Sequence, residues 1–216
     1  MSDISLPHEF QYSSAEHQAE TAITGMWLFL ATEMLFFGAI LLAWIYCRHW
    51  NQAGFDAGAA RTQLAIGTIN TVILVTSSLV YSLGLSFIEV GNSRRLIQCF
   101  GIVWLLGLAF LILKFGLEYY LDFAAHLFPG PGFAINGALG GGARLFFVFY
   151  FVATVIHGVH MVGGLALVGW LIVRARRDEF SSVYYTPVVV IGLYWSFVDI
   201  VWIVLYALIY LVGRAS

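Results

Sequence analysis

The stretch VVVIGLYWSFVDIVWIVLYALIYL (residues 188–211) decides the fold, because it is mostly apolar and carries a single charge, Asp199. A helix that crosses the hydrocarbon core of a membrane needs roughly 20 consecutive apolar residues. Pro187 immediately precedes the stretch, at the position in a helix where a missing backbone N–H costs least. These features predict a membrane-spanning helix over 188–211.

Four further stretches meet the same criterion, at about 23–47, 64–88, 96–115 and 145–173. Backbone polar groups in hydrocarbon must pair within their own segment, which selects helices over open strands. Of the residues in the chain, 61% are hydrophobic and 10% are charged. Soluble domains contain roughly 25% charged residues. Lipid is therefore the solvent for most of the surface, and the sequence predicts an all-α, polytopic transmembrane bundle of five helices.

The segments outside the spans predict the domain organisation. Residues 1–21 contain no Lys or Arg and so lack the basic start of a signal peptide. We expect them to form a polar N-terminal arm, followed by one membrane domain over 22–213. Residues 118–144 form the longest connection and should lie outside the hydrocarbon. Basic residues divide evenly between the two sides, so the positive-inside rule does not set the orientation, although arginine clusters in two short loops favour a cytoplasmic N-terminus.

Ionisable side chains inside a membrane are costly, so each is a candidate functional residue. Glu33 lies near the middle of the first span, where it could relay protons or act as a neutral acid bonded to a neighbouring helix. His157 and His160 lie three apart on the fourth span and predict either interhelical hydrogen bonds or part of a metal site. Zinc needs three or four protein ligands, and only Glu33 or Asp199 could complete such a set.

Polar residues also recur at helical spacing on two spans, which predicts faces that pack against protein. The interpretation that requires no function is helix packing in which these polar groups have hydrogen-bond partners. The residues concerned are Trp195, Asp199, Trp202 and Tyr206 on the last span, and Asn70, Ser77 and Ser78 on the second.

Several functions are excluded by what the chain lacks. A net charge of −2 argues against nucleic-acid binding. Two intramembrane histidines are too few for haems plus copper, and the isolated Cys47 and Cys99 cannot form a paired-cysteine copper site. The sequence contains no Walker-type loop, nucleophile elbow or dinucleotide fingerprint. An autonomous redox enzyme or ATPase is therefore not expected.

Five motifs, in order along the chain, resemble the cytochrome c oxidase subunit III family. Any one of them would be weak alone, but the co-linear set is specific and covers about 22–212. The motifs are GMWLFLATEMLFFGA (25–39), NTVILVTSS (70–78), KFGLEYY (114–120), IHGVHMVGG (156–164) and YWSFVDIVWIVLYALIYL (194–211).

The resemblance implies a subunit of a bacterial aa3- or caa3-type oxidase in which haem and copper are held by partner subunits. Family members pack directly on the catalytic subunit I, hold phospholipid between their helices, support proton uptake and protect the enzyme during turnover. Subunit II is a further implied partner, as is, in some complexes, a small subunit IV. The implied location is the bacterial plasma membrane, with the N-terminus cytoplasmic and the C-terminus periplasmic.

The resemblance also assigns roles by motif position. Glu33 matches the family's buried glutamate that reacts with carbodiimides, so it is the leading functional residue. Structural or lipid-contact roles are implied for the other polar positions, His157, His160, Asp199, Trp195, Glu118 and Asn70.

Two departures limit what is carried over from the family. Many members have seven helices, whereas this chain resembles the five-helix bacterial form. The family usually has histidine where this chain has Ser196, so that histidine's role is not transferred.

Other interpretations stay open on sequence alone. Subunit III-like proteins of quinol oxidases or nitric oxide reductases fit the same length, because other subunits set the electron donor. A small proton channel or transporter using Glu33, His157, His160 and Asp199 belongs to a different class, but internal repeats and broken helices, which are frequent in transporters, are not evident. A membrane metalloenzyme built on the two histidines is a third.

Overall fold

The computed structural model describes residues 12–214, and this part of the chain is helical without strands. Two π-helical segments and two 3₁₀ turns accompany the α-helices. In chain order the elements are α1 (Ala15–Trp50), α2 (Gln52–Ala59), α3 (Leu64–Glu89), α4 (Ser93–Leu111), the first π-helical segment (Ile112–Glu118), α5 (Tyr119–Ala124), a 3₁₀ turn (Gly137–Leu139), α6 (Gly140–Ala175), α7 (Thr186–Tyr206), the second π-helical segment (Ala207–Leu211) and a closing 3₁₀ turn (Val212–Arg214).

The prediction of five membrane-spanning helices is confirmed. Five continuous helical stretches are long and apolar enough to cross a bilayer, so the chain is a multi-pass membrane protein. They are Ala15–Trp50, Leu64–Glu89, Ser93–Ala124, Gly137–Ala175 and Thr186–Arg214.

The first helix begins at Ala15 instead of near residue 23. The hydroxyl of Ser14 accepts a hydrogen bond from the backbone N–H of His17 at 3.1 Å, which is a typical helix N-cap. A cap of this kind starts a helix in polar sequence, where hydropathy gives no signal. Within the expected polar arm, residues 1–11 lie outside the described part of the chain.

The third spanning helix continues past residue 115 to Ala124, through the first π-helical segment and α5. Hydropathy placed its end near Lys114 because a charge normally marks the edge of a span. Lys114 is instead fully buried and has partners inside the bundle. The connection to α6 is correspondingly shorter than predicted, and Leu127 and Phe133 from it are buried.

A short helix, α2, occupies the segment between the first two spanning helices. The Arg48 guanidinium pairs with the Asp56 carboxylate at 2.6 Å, which ties α2 to the end of α1. Phe55 is fully buried against Trp44, at 5.6 Å between ring centroids. α2 thus forms part of the packed end of the bundle.

The helices are buried to very different extents. α6 and α7 bury residues along most of their length and form the centre of the bundle. α1 buries only Leu30, Phe37 and Trp44, a single stripe at seven-residue spacing. Large apolar side chains such as Leu35 and Leu42 are exposed on its other faces. In a membrane protein, such faces contact lipid or other subunits.

Candidate functional site

Glu33 and His160 form a polar pair between α1 and α6. Glu33 Oε2 lies 3.0 Å from His160 Nε2, and His160 Nδ1 lies 2.9 Å from the carbonyl oxygen of Ile156. A carbonyl only accepts hydrogen bonds, so Nδ1 must carry a proton. The contact at Nε2 then requires one more proton, either on His160 as an ion pair or on Glu33 as a neutral acid. The pair therefore holds one shared proton and has no net charge in either form.

The pair lies at the lateral surface of the bundle, not in its core. The side chains of Glu33 and His160 keep 20% and 18% of their area exposed. Phe37 packs against the imidazole at 5.1 Å between ring centroids, while Met34 and Leu35 beside Glu33 face outward. The carboxyl is thus reachable from the lipid side. A low-dielectric setting favours a pair with no net charge over one that carries a single unpaired charge.

His157 points away from this pair although it is only three residues from His160. Its ring is 1% exposed and packs against Phe110 and Trp202, at centroid distances of 5.5 and 5.1 Å. Neither ring nitrogen has a hydrogen-bond partner among the described residues. The two histidines share one side of α6, but one faces α4 and α7 and the other faces α1.

The arrangement does not favour a metal site in the described part of the chain. No group of three or more His, Cys, Asp or Glu side chains comes together within residues 12–214. Glu33 joins only His160, and Asp199 bonds to Ser78 instead of joining the histidines. The residues considered as ligands from sequence are therefore divided among separate environments.

The two polar faces predicted from sequence meet each other along α3 and α7. Each side chain of the α7 face bonds to a hydroxyl on α3, which makes a four-rung ladder between antiparallel helices. The rungs are Trp195 Nε1 to Ser77 Oγ (3.1 Å), Ser78 Oγ to Asp199 Oδ2, Trp202 Nε1 to Thr71 Oγ1 (3.1 Å), and Tyr206 with Thr68 (2.8 Å between oxygens).

Ser77→Ala is expected to lower the free energy of unfolding by about 1–3 kcal/mol, since it leaves the buried Trp195 N–H without its acceptor. Ser82→Ala on the same helix is the matched control, because Ser82 is exposed and bonds only to the carbonyl of Ser78. Denaturant unfolding in detergent would measure both. Equal stability of the two variants would show that the bond between Ser77 and Trp195 contributes nothing.

Asn70 lies on the same buried side of α3 but outside the ladder. It is fully buried, and neither its amide nitrogen nor its oxygen has a partner among the described side chains and backbone. Asp199 also keeps one carboxyl oxygen, Oδ1, without a partner there. The interior of the bundle therefore contains polar atoms that the ladder leaves without hydrogen-bond partners among the described residues.

A second ionisable site, which sequence reasoning missed as a whole, surrounds Glu118. Glu118 is fully buried, and Lys114 and Asp122 lie one turn to either side of it in the same helical stretch. Two tyrosines from other helices, Tyr150 and Tyr210, complete the cluster. The four-residue spacing of Lys, Glu and Asp is a sequence signal that indicates one shared face, but the tyrosines come from distant segments.

Comparison with known proteins gives a consistent result along the chain. The family described as cytochrome c oxidase subunit III matches residues 2–214. A probable cytochrome c oxidase subunit 3 of Nocardia farcinica is 31% identical over 87% of this chain and 86% of its own length. The cytochrome c oxidase subunit 3 of Thermostichus vulcanus is 29% identical over 93% and 92%.

A third relative is organised differently. The haem–copper oxidase subunit I+III of Aeropyrum pernix is 29% identical over 88% of this chain but only 22% of its own length. The family match extends over nearly the whole chain and includes all five spanning helices. The chain therefore belongs to the cytochrome c oxidase subunit III family of the haem–copper oxidases.

Proposed function

We propose that this chain is the non-catalytic subunit III of a bacterial aa3- or caa3-type cytochrome c oxidase in aerobic respiration. Family membership implies association with other oxidase subunits. The specific role proposed is to pack on subunit I, bind phospholipid, and support proton uptake and stability during turnover. The chain would lie in the bacterial plasma membrane as a polar N-terminal arm and one five-helix domain, with its N-terminus cytoplasmic and its C-terminus periplasmic.

The contact between Glu33 and His160 is the observation that carries the proton-uptake part of the proposal. Glu33 Oε2 and His160 Nε2 lie 3.0 Å apart at a partly exposed position, which fits one proton shared between these two atoms. A pair that stays neutral while its proton moves between two atoms avoids the cost of a net charge in lipid. It can therefore pass a proton at the flank of a partner subunit by taking up one proton as it releases another, so that the pair stays neutral.

Direct packing on subunit I is supported by the Aeropyrum pernix relative, whose name joins subunits I and III in one protein. A fusion of two chains is most easily accommodated when the parts are neighbours. We extend this to subunit II and, in some complexes, a small subunit IV as further partners of the assembly. Haem and copper are proposed to be in partner subunits.

Lipid binding is supported by a groove on the outer face of α4 and α6. The groove encloses about 660 Å³ and is lined by apolar side chains such as Ile97, Leu105 and Ile172, with Gln98 and Arg176 at one end. An acyl chain matches the apolar length, and an anionic headgroup matches the arginine.

The alternative of a small proton channel is less favoured by the contacts seen. A relay would have to link Glu33 with the other intramembrane ionisable groups, yet its described hydrogen-bond partner is His160 alone. His157 faces aromatic rings and Asp199 bonds to Ser78. Subunit III-like proteins of quinol oxidases or nitric oxide reductases share the proposed architecture and differ in the electron donor, which other subunits determine.

Glu33→Ala in the assembled oxidase is expected to leave the initial rate of oxygen reduction nearly unchanged and to shorten the working lifetime severalfold, because the chain supplies a proton-holding pair but no redox centre. Oxygen consumption followed to exhaustion of activity would measure both quantities. Glu89→Ala, which removes an exposed carboxyl at the end of α3, is the control. Complete loss of the initial rate, or an unchanged lifetime, would contradict the proposed role.

A further inference from the structure

The cluster around Glu118 is an ionic site sealed inside the bundle. Lys114, Glu118 and Tyr210 are fully buried, and Asp122 and Tyr150 are 1% exposed. Lys114 and Glu118 lie in the first π-helical segment and Tyr210 in the second, so both π-helical segments of the described chain contribute to it. Such segments are rare and are found frequently at functional sites.

Lys114 has the contacts of an ammonium cation. Its Nζ lies 3.0 Å from Tyr150 Oη, 2.7 Å from Tyr210 Oη and 3.0 Å from Glu118 Oε1. An ammonium group has three N–H donors, and these three acceptors use all of them. The Tyr150 ring centroid lies 4.3 Å from Nζ, which adds a cation–π contact. The cluster therefore contains one fixed positive charge.

The two carboxyl groups have unequal surroundings. Glu118 Oε1 receives hydrogen bonds from both the Lys114 ammonium and the Tyr210 hydroxyl, as an ionised carboxylate would. The Tyr150 hydroxyl lies between the two carboxyls, 3.0 Å from Glu118 Oε1 and 2.6 Å from Asp122 Oδ2, and its single proton can serve only one of them at a time. Asp122 Oδ2 has no other described partner. Because all three Lys114 donors are used elsewhere, no cation bonds to Asp122.

No neighbouring element brings a second cation to Asp122 within the described residues. On α6, Thr154 bonds to the Tyr119 hydroxyl of α5, and His157 packs between aromatic rings. Arg144, at the start of α6, is exposed and lies over the Phe133 ring, 5.6 Å from its centroid. At the end of α7, the Arg214 guanidinium donates to the backbone carbonyls of Tyr210, Ala60 and Thr62 and to the Thr62 hydroxyl. With both acids ionised, the cluster would hold an unbalanced negative charge in the interior, which costs several kcal/mol.

We propose that Asp122 is a buried proton-binding site, so that the cluster is neutral with Lys114 as a cation, Glu118 as a carboxylate and Asp122 as a carboxylic acid. Loss of that proton to water would leave one uncompensated negative charge beneath the connection between α5 and α6. The site is separate from the Glu33–His160 pair and does not depend on the proposed role of that pair.

Infrared spectroscopy of the intact oxidase tests this proposal directly. At neutral pH the wild type should show a C=O stretching band of a protonated carboxyl that is absent from Asp122→Asn. Asp178→Asn is the control, because Asp178 lies exposed in the turn after α6, and it should keep the band. Asp122→Glu should shift the band without removing it, since the group remains an acid.

Three results would overturn the proposal. One is loss of a carboxylate band, instead of a protonated-acid band, in Asp122→Asn. Another is failure of Asp122→Asn to assemble while Asp178→Asn assembles, because a neutral amide should replace a neutral acid without harm. The third is a thermal stability that depends on sodium, potassium or calcium concentration in the wild type but not in Asp122→Asn, which would identify the site as binding a metal cation instead.

Discussion

Lys114→Met is expected to destabilise the folded chain by about 3–5 kcal/mol, the range measured when one partner of a buried ion pair is removed. Methionine keeps the length and apolar stem of lysine but removes the ammonium group. Glu118 then loses its counter-charge, and the Tyr150 and Tyr210 hydroxyls each lose a donor. Unfolding in detergent with increasing denaturant, followed by circular dichroism, would measure the loss.

The double variant Lys114→Met/Glu118→Gln separates charge from packing. It removes both charges of the pair, so most of the stability lost in the single variant should return. Arg177→Met, which removes an exposed cation outside the lipid groove, should have little effect. A double variant as unstable as the single one would mean that lost packing, not an unpaired buried charge, causes the damage.

Gly54→Ala is expected to destabilise the chain by about 1–3 kcal/mol, as overpacking does in well-packed interiors. A Cβ atom at residue 54 would lie 2.6 Å from the Gly142 Cα and 2.9 Å from the Ala143 backbone nitrogen. Backbone atoms cannot rotate away, so α2 would have to move off α6. The Trp44–Phe55 contact that fixes α2 beside α1 would then be disturbed.

Gly101→Ala is the matched control for this clash. Gly101 is also in a helix, but a Cβ there meets no atom within 4 Å. Alanine is favoured over glycine in a helix by up to about 1 kcal/mol, so this variant should be as stable as the wild type or more so. Thermal unfolding of the two variants side by side measures the difference. Equal stability would show that α2 does not need its close approach to α6.

The number of spans could be predicted from sequence because hydropathy over a window is a local property. Helix ends could not, since they depend on interactions that hydropathy ignores. The cap at Ser14 extends α1 into polar sequence. From sequence, Lys114 indicates the edge of a span. Its tyrosine partners, which allow it to be buried, come from α6 and the second π-helical segment, so no local pattern reveals them.

Candidate site residues were recognised singly and not as pairs. Glu33 and His160 each stand out as ionisable groups in apolar sequence, but they are distant along the chain, and no local pattern predicts their contact. Helical spacing correctly predicted that His157 and His160 lie on the same side of α6. It could not show that their rings point to different helices, because a three-residue offset leaves them about 60° apart around the helix axis.

Purification of the tagged chain in mild detergent, with haem spectra and mass identification of the proteins that accompany it, tests membership in a functioning oxidase most directly. We expect it to co-purify with a subunit I that contains haem and copper, and with a copper-bearing subunit II where cytochrome c is the donor. A partner with non-haem iron would instead indicate a nitric oxide reductase. Recovery of a stable homo-oligomer without haem would contradict the proposed function altogether.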